Sequence, residues 1–372
     1  MQLLNEYFEQ LQAIRQGQQS LDAYLFAPVT TADGGQYDAH EAKRYRLLLA
    51  LQCDRAADDK ALLEPLLQAE IERHRMEAFQ GLYPTLELAC SLLARYQDTR
   101  HLPLFINAKR ANFDTHCGLD VEYLASAGIA QSYAAAALLD GELREAFCDY
   151  LGTKPEQCKI SEQDLEQWRA RQKRRYPEEI VFRNLGAEIE FLLELGERER
   201  AQAKINEWHS SSFEPTAEGW SQWLSWQRSL NCLGGMIEAQ QALLALETQD
   251  WNKGSWLKEL VGLHLQNGDL TQALSCTEAL QSLKHHFKDW RGLGMGRFIA
   301  EHYLDFVLAA KESHPDAAAQ VYAWAKSLTM GMKNMHWNLL EKLVAVHEQF
   351  DDRKLAQKYR VVLRRERANA GF

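Results

Sequence analysis

Leu195-Gly196-Glu197 with Ala201, Leu233-Gly234-Gly235 with Ala239, and Asn267-Gly268-Asp269 with Ala273 are three versions of one phrase, a glycine followed five residues later by an alanine. The glycines at 196, 234 and 268 lie 38 and then 34 residues apart, each between two amphipathic helical stretches. A tandem unit of helix, glycine turn and helix at this length makes a helical solenoid. The turn needs a residue that tolerates positive φ, which is why glycine stands there. The alanine fits a point where two helices cross closely and a larger side chain would hold them apart. Solenoids present extended surfaces to other macromolecules, so the reading points to binding rather than to chemistry.

Around these turns the third unit places Leu257, Leu260, His264, Gly268-Asp269, Ala273 and Leu280. The second offers Trp223, Trp226, Leu230, Gly234 and Ala239, and the first Leu185, Leu192, Gly196, Ala201 and Ile205. In spacing this resembles the tetratricopeptide repeat, without that family's proline after the second helix. Two looser units follow, one centred on Ala319 with Tyr303, Phe306 and Pro315-Asp316, the other on Ala356 with Leu340, Leu343, His347 and Asp351-Asp352. The resemblance covers residues 178–372 and implies a groove lined by one face of each first helix. Counted from the turn glycine, it assigns Arg183 and Glu190, Arg228 and Asn231, and Lys258 and Gln266 to that groove. Mixed charges and amides of this kind suit an extended peptide or a carboxylate, and equally a solvated polar face.

The chain has 372 residues, 46% of them hydrophobic, with only eight prolines and few alternating Val/Ile runs. Ala, Leu, Glu, Gln and Arg dominate, so the fold class is all-α, with an irregular helical domain over 1–177 preceding the repeats of 178–372. The formal charge of −10 is uneven: residues 1–150 carry 13 Lys+Arg against 22 Asp+Glu, the remainder 29 against 30. An acidic first half disfavours nucleic acid and anionic membrane and favours a basic protein partner, though acidity also serves solubility alone. The seven cysteines are scattered without a CxxC pair, as in reduced cytoplasmic proteins. No leader-like opening and no run of 18 apolar residues occurs, so neither export nor membrane spanning is expected.

The first domain reads as a helix over 2–16, a turn-rich loop through Asp33-Gly34-Gly35, a helical pair over 39–53 and 58–76, and a helix over 84–97 with Pro84 in its first turn. Residues 98–119 are the least helical stretch. Val121–Leu139 and Glu142–Leu151 form a hairpin about Asp140-Gly141. Ser161 with Asp164 opens a helix in the manner of a capping box, and that helix ends in Arg169, Arg171, Lys173, Arg174 and Arg175 before Pro177 stops it. This basic cluster reads as solvated surface, with nucleic-acid binding as the alternative.

No constellation points to catalysis. Gly292-Leu293-Gly294-Met295-Gly296 looks like a phosphate loop but follows no strand, so it reads as a connector. His116-Cys117 and His285-His286 lack zinc-ligand spacing, and no catalytic residue, metal or cofactor is assigned. Six of the ten tryptophans fall within residues 208–256. Trp223 and Trp226, at i and i+3, belong to the core, whereas Trp220, Trp251 and Trp256 lie near turns and are candidate exposed anchors. Three functions compete. One is an inhibitor or immunity-type protein that sequesters a basic bacterial toxin. Another is an adaptor or peptide-sensing regulator whose repeats cradle a protein tail. The third is an enzyme of unrecognised helical fold. The first two share a non-catalytic mechanism, binding of a protein or peptide.

Overall fold

The structure, a computed structural model, describes residues 2–32, 34–76, 81–286, 294–333 and 335–369. Of the described residues 75% are helical, and they include one two-stranded antiparallel ribbon, Pro28–Thr30 against Gln36–Asp38. Two compact units divide at Glu197/Arg198.

The first unit contains α1 (Gln2–Arg15), α2 (Glu41–Cys53), α3 (Lys60–Met76), α4 (Pro84–Ala94), α5 (Leu102–Lys109), α6 (Phe113–Gly118), α7 (Ile129–Ala136), α8 (Gly141–Leu151), α9 (Glu162–Arg175) and α10 (Leu185–Glu194). One apolar cluster runs through it, with Leu48, Leu66, Leu93, Ile106 and Phe147 fully buried. Local signals start the helices as their sequence predicts. Pro84 occupies the first turn of α4, Asp140 accepts from Leu143 N at 3.0 Å, and Ser161 and Asp164 exchange the two bonds of a capping box. Two readings are corrected. Residues 98–119 are largely helical, because His101 and Thr115 are buried with the apolar residues of α5. The expected helix over 121–139 is broken at Gly128, whose φ of 109° no helix accommodates.

A polar network lies inside this unit. Arg44 is 0% exposed and donates to Asp38 at 2.5 Å, to Glu70 at 2.6 Å and to Tyr24 O at 3.1 Å. Thr85 donates to the other oxygen of Glu70 at 2.6 Å. His74 Nδ1 bonds Glu70 O while its Nε2 accepts from Tyr83 N, an arrangement that needs the neutral ring. Asp38 also accepts from Ala27 N and His40 N, so the network ties the ribbon to α2 and α3.

The second unit consists of α11 (Arg198–Ser211), α12 (Ala217–Ser229), α13 (Leu233–Leu246), α14 (Asp250–Gln266), α15 (Leu270–Leu283), α16 (Gly294–Ala310), α17 (Pro315–Thr329), α18 (Trp337–Gln349) and α19 (Arg353–Asn369). Helices α12/α13, α14/α15, α16/α17 and α18/α19 pack as successive hairpins, and α14, α16 and α18 pack side by side. This is a helical-repeat architecture.

One backbone device marks the repeats. At Gly196, Asn231, Gly268 and Asp351 the chain adopts positive φ (70°, 54°, 73° and 53°). In each case the amide of that residue and the next bond back to the preceding helix in a Schellman closure, for example Gly268 N to Leu265 O at 3.1 Å and Asp269 N to His264 O at 2.9 Å. The same pattern closes at Leu192, Gln227 and His347. Thus Gly196 and Gly268 are turn residues as expected, but Gly234 is not. It lies in the first turn of α13, and Asn231 takes the left-handed position. Ala201, Ala273 and Ala356, each five residues beyond the turn residue, are 0%, 0% and 1% exposed. In the α16/α17 hairpin the buried alanine is Ala318, one residue before the expected Ala319, which is exposed.

The division between units falls beyond residue 177 because the chain from 178 to 197 belongs to the first core. Leu195 is buried in the first apolar cluster with Phe191 against it, Arg46 donates to Leu195 O at 2.8 Å, and Tyr7 donates to Glu197 at 2.7 Å.

Candidate functional site

In the second unit the adjoining first helices carry a continuous polar and aromatic face. Lys258 of α14 pairs with Glu259 at 2.8 Å and stands 4.7 Å from the Phe298 ring centre in α16. Phe298 is 51% exposed. One turn along, a Cβ on Gly262 would meet His302 at 3.4 Å. Lys342 of α18 bonds both Glu301 and Asp305 of α16, at 2.9 and 2.8 Å. Burial works against its ammonium, but the two carboxylates outweigh it and hold the pKa above the ordinary lysine value.

Of the residues expected to line a groove, Lys258 lies on this face. Arg228 is exposed at the end of α12, Asn231 is the turn residue, and Gln266 is exposed at the end of α14. Arg228 and Asn231 fall at a turn because the second unit's true turn precedes Gly234 by three residues, nearly one helical turn, whereas Gln266 lies two residues before Gly268, the turn expected for the third unit. Arg183 and Glu190, both exposed, belong to the first unit. Trp223 and Trp226 are core, 8% and 2% exposed. Trp220 is half-buried with its ring 4.7 Å from that of Phe213, Trp256 is half-buried, and Trp251 is 42% exposed. Phe298, Glu301, Asp305 and Lys342 were missed. The spacing of three and four among Phe298, Glu301 and Asp305 on α16 was the available signal; Lys342 comes from α18 and had none.

The first unit holds a cavity of about 390 Å³ between the end of α4 and α9. The basic run of α9 does not act as one patch there. Arg171 pairs with Glu122 and Arg175 with Glu87, while Arg169 and Lys173 turn to the cavity, where Arg55 and Arg95 join them. Glu178 is the one carboxylate among the lining residues. Arg95 donates to Tyr176 O at 2.5 Å and Arg169 to Ser126 O at 2.8 Å. Burial, and then the neighbouring Arg55 charge, push the Arg95 guanidinium below its ordinary pKa. Three lining groups, Ser91 Oγ, Arg169 Nε and Tyr176 OH, are buried without a hydrogen-bond partner among the described residues.

His116, beside Cys117 in α6, lies in a separate hollow with its Nδ1 2.6 Å from Tyr150 OH. There Lys109 donates to His116 O at 2.7 Å and Leu119 O at 2.5 Å, and burial depresses its pKa. Among the described residues no three His, Cys, Asp or Glu side chains gather as a metal site. Gly292 and Leu293 of the glycine-rich segment lie outside the described residues, as does the side chain of His285; Gly294, Met295 and Gly296 open α16. Among the described residues no helix is long and apolar enough to cross a membrane.

Protein-family models, curated proteins and solved structures were all compared with the chain, and none matches it.

Proposed function

We propose that the chain is a non-catalytic protein-binding protein whose tetratricopeptide-like hairpins take a protein segment on the face formed by α14, α16 and α18. The observation that carries this reading is Phe298, half exposed at the centre of that face, with Lys258 beside it and the Glu301–Asp305–Lys342 cluster one to two turns away. An aromatic anchor within a ring of paired charges is the usual composition of a binding hot spot. Mixed charge along a helical groove suits an extended peptide. The particular form in which the partner is a basic toxin rests on the acidic balance of residues 1–150.

The test is affinity purification with the parent and with Phe298→Asp, read by quantitative mass spectrometry. A partner recovered by the parent, lost from the variant and rebound in purified form supports the reading, provided the two chains melt at the same temperature. Equal recovery by both chains rules out this face.

A further inference from the structure

The cavity between α4 and α9 has a composition that the fold does not require. Four cations line it against one carboxylate, two of them, Arg55 and Arg95, from the acidic residues 1–150 and two, Arg169 and Lys173, from the basic helix α9. Arg55 and Lys173 are exposed and form no ion pair among the described residues. Like charges gathered in a concave site repel one another unless an anion joins them.

The uncharged lining carries the same message. Ser91 is 1% exposed, and its hydroxyl has no hydrogen-bond partner among the described residues. The Tyr176 hydroxyl and Arg169 Nε are likewise buried and unpartnered. A buried unmade hydrogen bond costs about 1–3 kcal/mol, and three such groups border one hollow. Ordered water would satisfy the hydroxyls but leave the like charges uncompensated. The donors come from separate places in the chain, the loop after α2, helix α4, helix α9 and the segment after it, so they converge on a ligand with several acceptor oxygens. A phosphate monoester offers three oxygens and nearly two negative charges, which matches this set better than the two oxygens and single charge of a carboxylate. Ala94, Trp168 and Pro177 give the wall an apolar part, beside the amides of Gln97 and Gln172. A hollow of about 390 Å³ falls within the range of small-molecule pockets and is not the open track that a nucleic-acid backbone needs.

We propose that this pocket binds a small phosphate monoester, with the phosphate among Arg55, Arg95, Arg169 and Lys173 and the organic body against Trp168 and Pro177. The site is independent of the protein-binding face.

The experiment uses the full chain and two pairs of probes, inorganic phosphate against chloride at equal ionic strength, and adenosine monophosphate against adenosine. Thermal melting and calorimetric titration are read for the parent, for the Arg55→Ala/Lys173→Ala double variant and for Ser91→Ala. Phosphate should raise the melting temperature above the chloride value, and the nucleotide should bind more tightly than phosphate, with adenosine silent. Loss of each cation should weaken binding about tenfold, with the double variant melting like the parent in chloride. Ser91→Ala should weaken it severalfold. Should Ser91→Ala unfold, the double variant still decides, since both its positions are exposed. Equal melting in phosphate and chloride overturns the proposal, as does parental affinity in the double variant or binding of adenosine as tight as that of its monophosphate. Binding of a phosphotyrosine peptide without binding of phosphate or the nucleotide overturns the small-molecule assignment.

Discussion

Gln227 of α12 lies against the bare backbone of Gly235 in α13: a Cβ built on that glycine would come 2.4 Å from the Gln227 Oε1 and 2.7 Å from its Cγ. Gln227 is 1% exposed and holds the last turn of α12, where its carbonyl receives the Schellman bond of Cys232. It has no room to withdraw. Gly235→Ala should therefore destabilise the chain by about 1–3 kcal/mol through overpacking, despite the helix propensity of alanine. Gly234, one residue earlier in the same helix, meets nothing within 4 Å. Gly234→Ala should stabilise by about 0.5–1 kcal/mol, the ordinary gain of alanine over glycine in a helix. Chemical denaturation of the two variants reads both signs, and equal effects would remove the close helix crossing.

Asn231 carries the second turn at a φ of 54°. Asparagine tolerates that region better than other side chains, and glycine better still. Asn231→Gly is expected to hold or slightly raise the melting temperature. Asn231→Val should cost about 1–2 kcal/mol, since a branched Cβ clashes there. Thermal melts check the pair, and a neutral valine would mean that the turn is not fixed.

These two sites also explain what could be read from the sequence and what could not. The repeat was legible because a left-handed residue and a small residue five positions later recur for a mechanical reason, and Gly196/Ala201 and Gly268/Ala273 satisfy both conditions. In the second repeat asparagine took the turn and glycine the crossing, so two adjacent glycines in α13 drew the reading three residues off. That slip carried the second repeat's groove positions, Arg228 and Asn231, to the turn. The cationic cavity was illegible for a different reason. Arg169 and Arg171 are neighbours in sequence, yet one faces the hollow and the other reaches Glu122. Their two-residue spacing sets them on different faces of α9, but nothing in the sequence says which face meets the hollow, and Arg55 and Arg95 arrive from distant segments. The polar network about Arg44 has the same non-local origin, with Asp38 and Glu70 brought together from a ribbon and a helix.

Arg44 sits between Asp38 and Glu70 with all three side chains 0% exposed. Arg44→Met leaves two carboxylates buried with one cation still near them among the described residues, Arg73, at 3.8 Å from Glu70. A loss of about 3–5 kcal/mol is expected, as for other buried pairs cut on one side. Burial alone would raise the Asp38 pKa, but Arg44 and the amides of His40 and Ala27 outweigh it, and the carboxyl lies below its ordinary value. Asp38 therefore adds stability above its unfolded pKa of about 3.9, and that contribution fades as pH falls through the lower folded value. Hydrogen exchange over the α2 and α3 segments should show a loss of protection below about pH 4 that depends on Asp38. In Asp38→Asn the protection should start lower and change less over that range.

The second unit should respond at milder pH. His264 is 3% exposed with neither ring nitrogen hydrogen-bonded among the described residues. Burial lowers its pKa, with Asp269 acting weakly the other way, and burial likewise lowers those of His302 and His347. A histidine held neutral in the fold is protonated first in the unfolded chain. Stability is therefore full above the unfolded value of about 6.5 and falls as pH drops from there toward the folded pKa. His264→Leu removes that liability along with two unsatisfied polar atoms, so it should be near neutral at pH 7.5 and stabilising at pH 5.5. Melting curves at the two pH values decide it, and an equal shift at both would mean that the ring does not titrate in this range.

Ala318 and Ala319 are adjacent in α17 and identical in chemistry, but the first is 0% exposed and the second faces solvent. The repeat register explains the difference. Helix α17 begins at Pro315, and α15 at Leu270, so Ala318 and Ala273 occupy the same place one turn into the second helix of their hairpins. An indole cannot enter such a crossing without pushing the helices apart. Ala318→Trp and Ala273→Trp should each destabilise by at least about 1–3 kcal/mol. Ala319→Trp should stay within about 0.5 kcal/mol of the parent, as surface changes do. The comparison isolates register from side-chain size, because the same substitution is made one residue apart. If Ala319→Trp were the damaging variant, α17 would be rotated by a residue and the α16/α17 hairpin would fall out of step with the others. If neither mattered, the helices of that hairpin would not cross closely at all. Denaturant titration of the three variants, read with hydrogen exchange across α16 and α17, separates these outcomes.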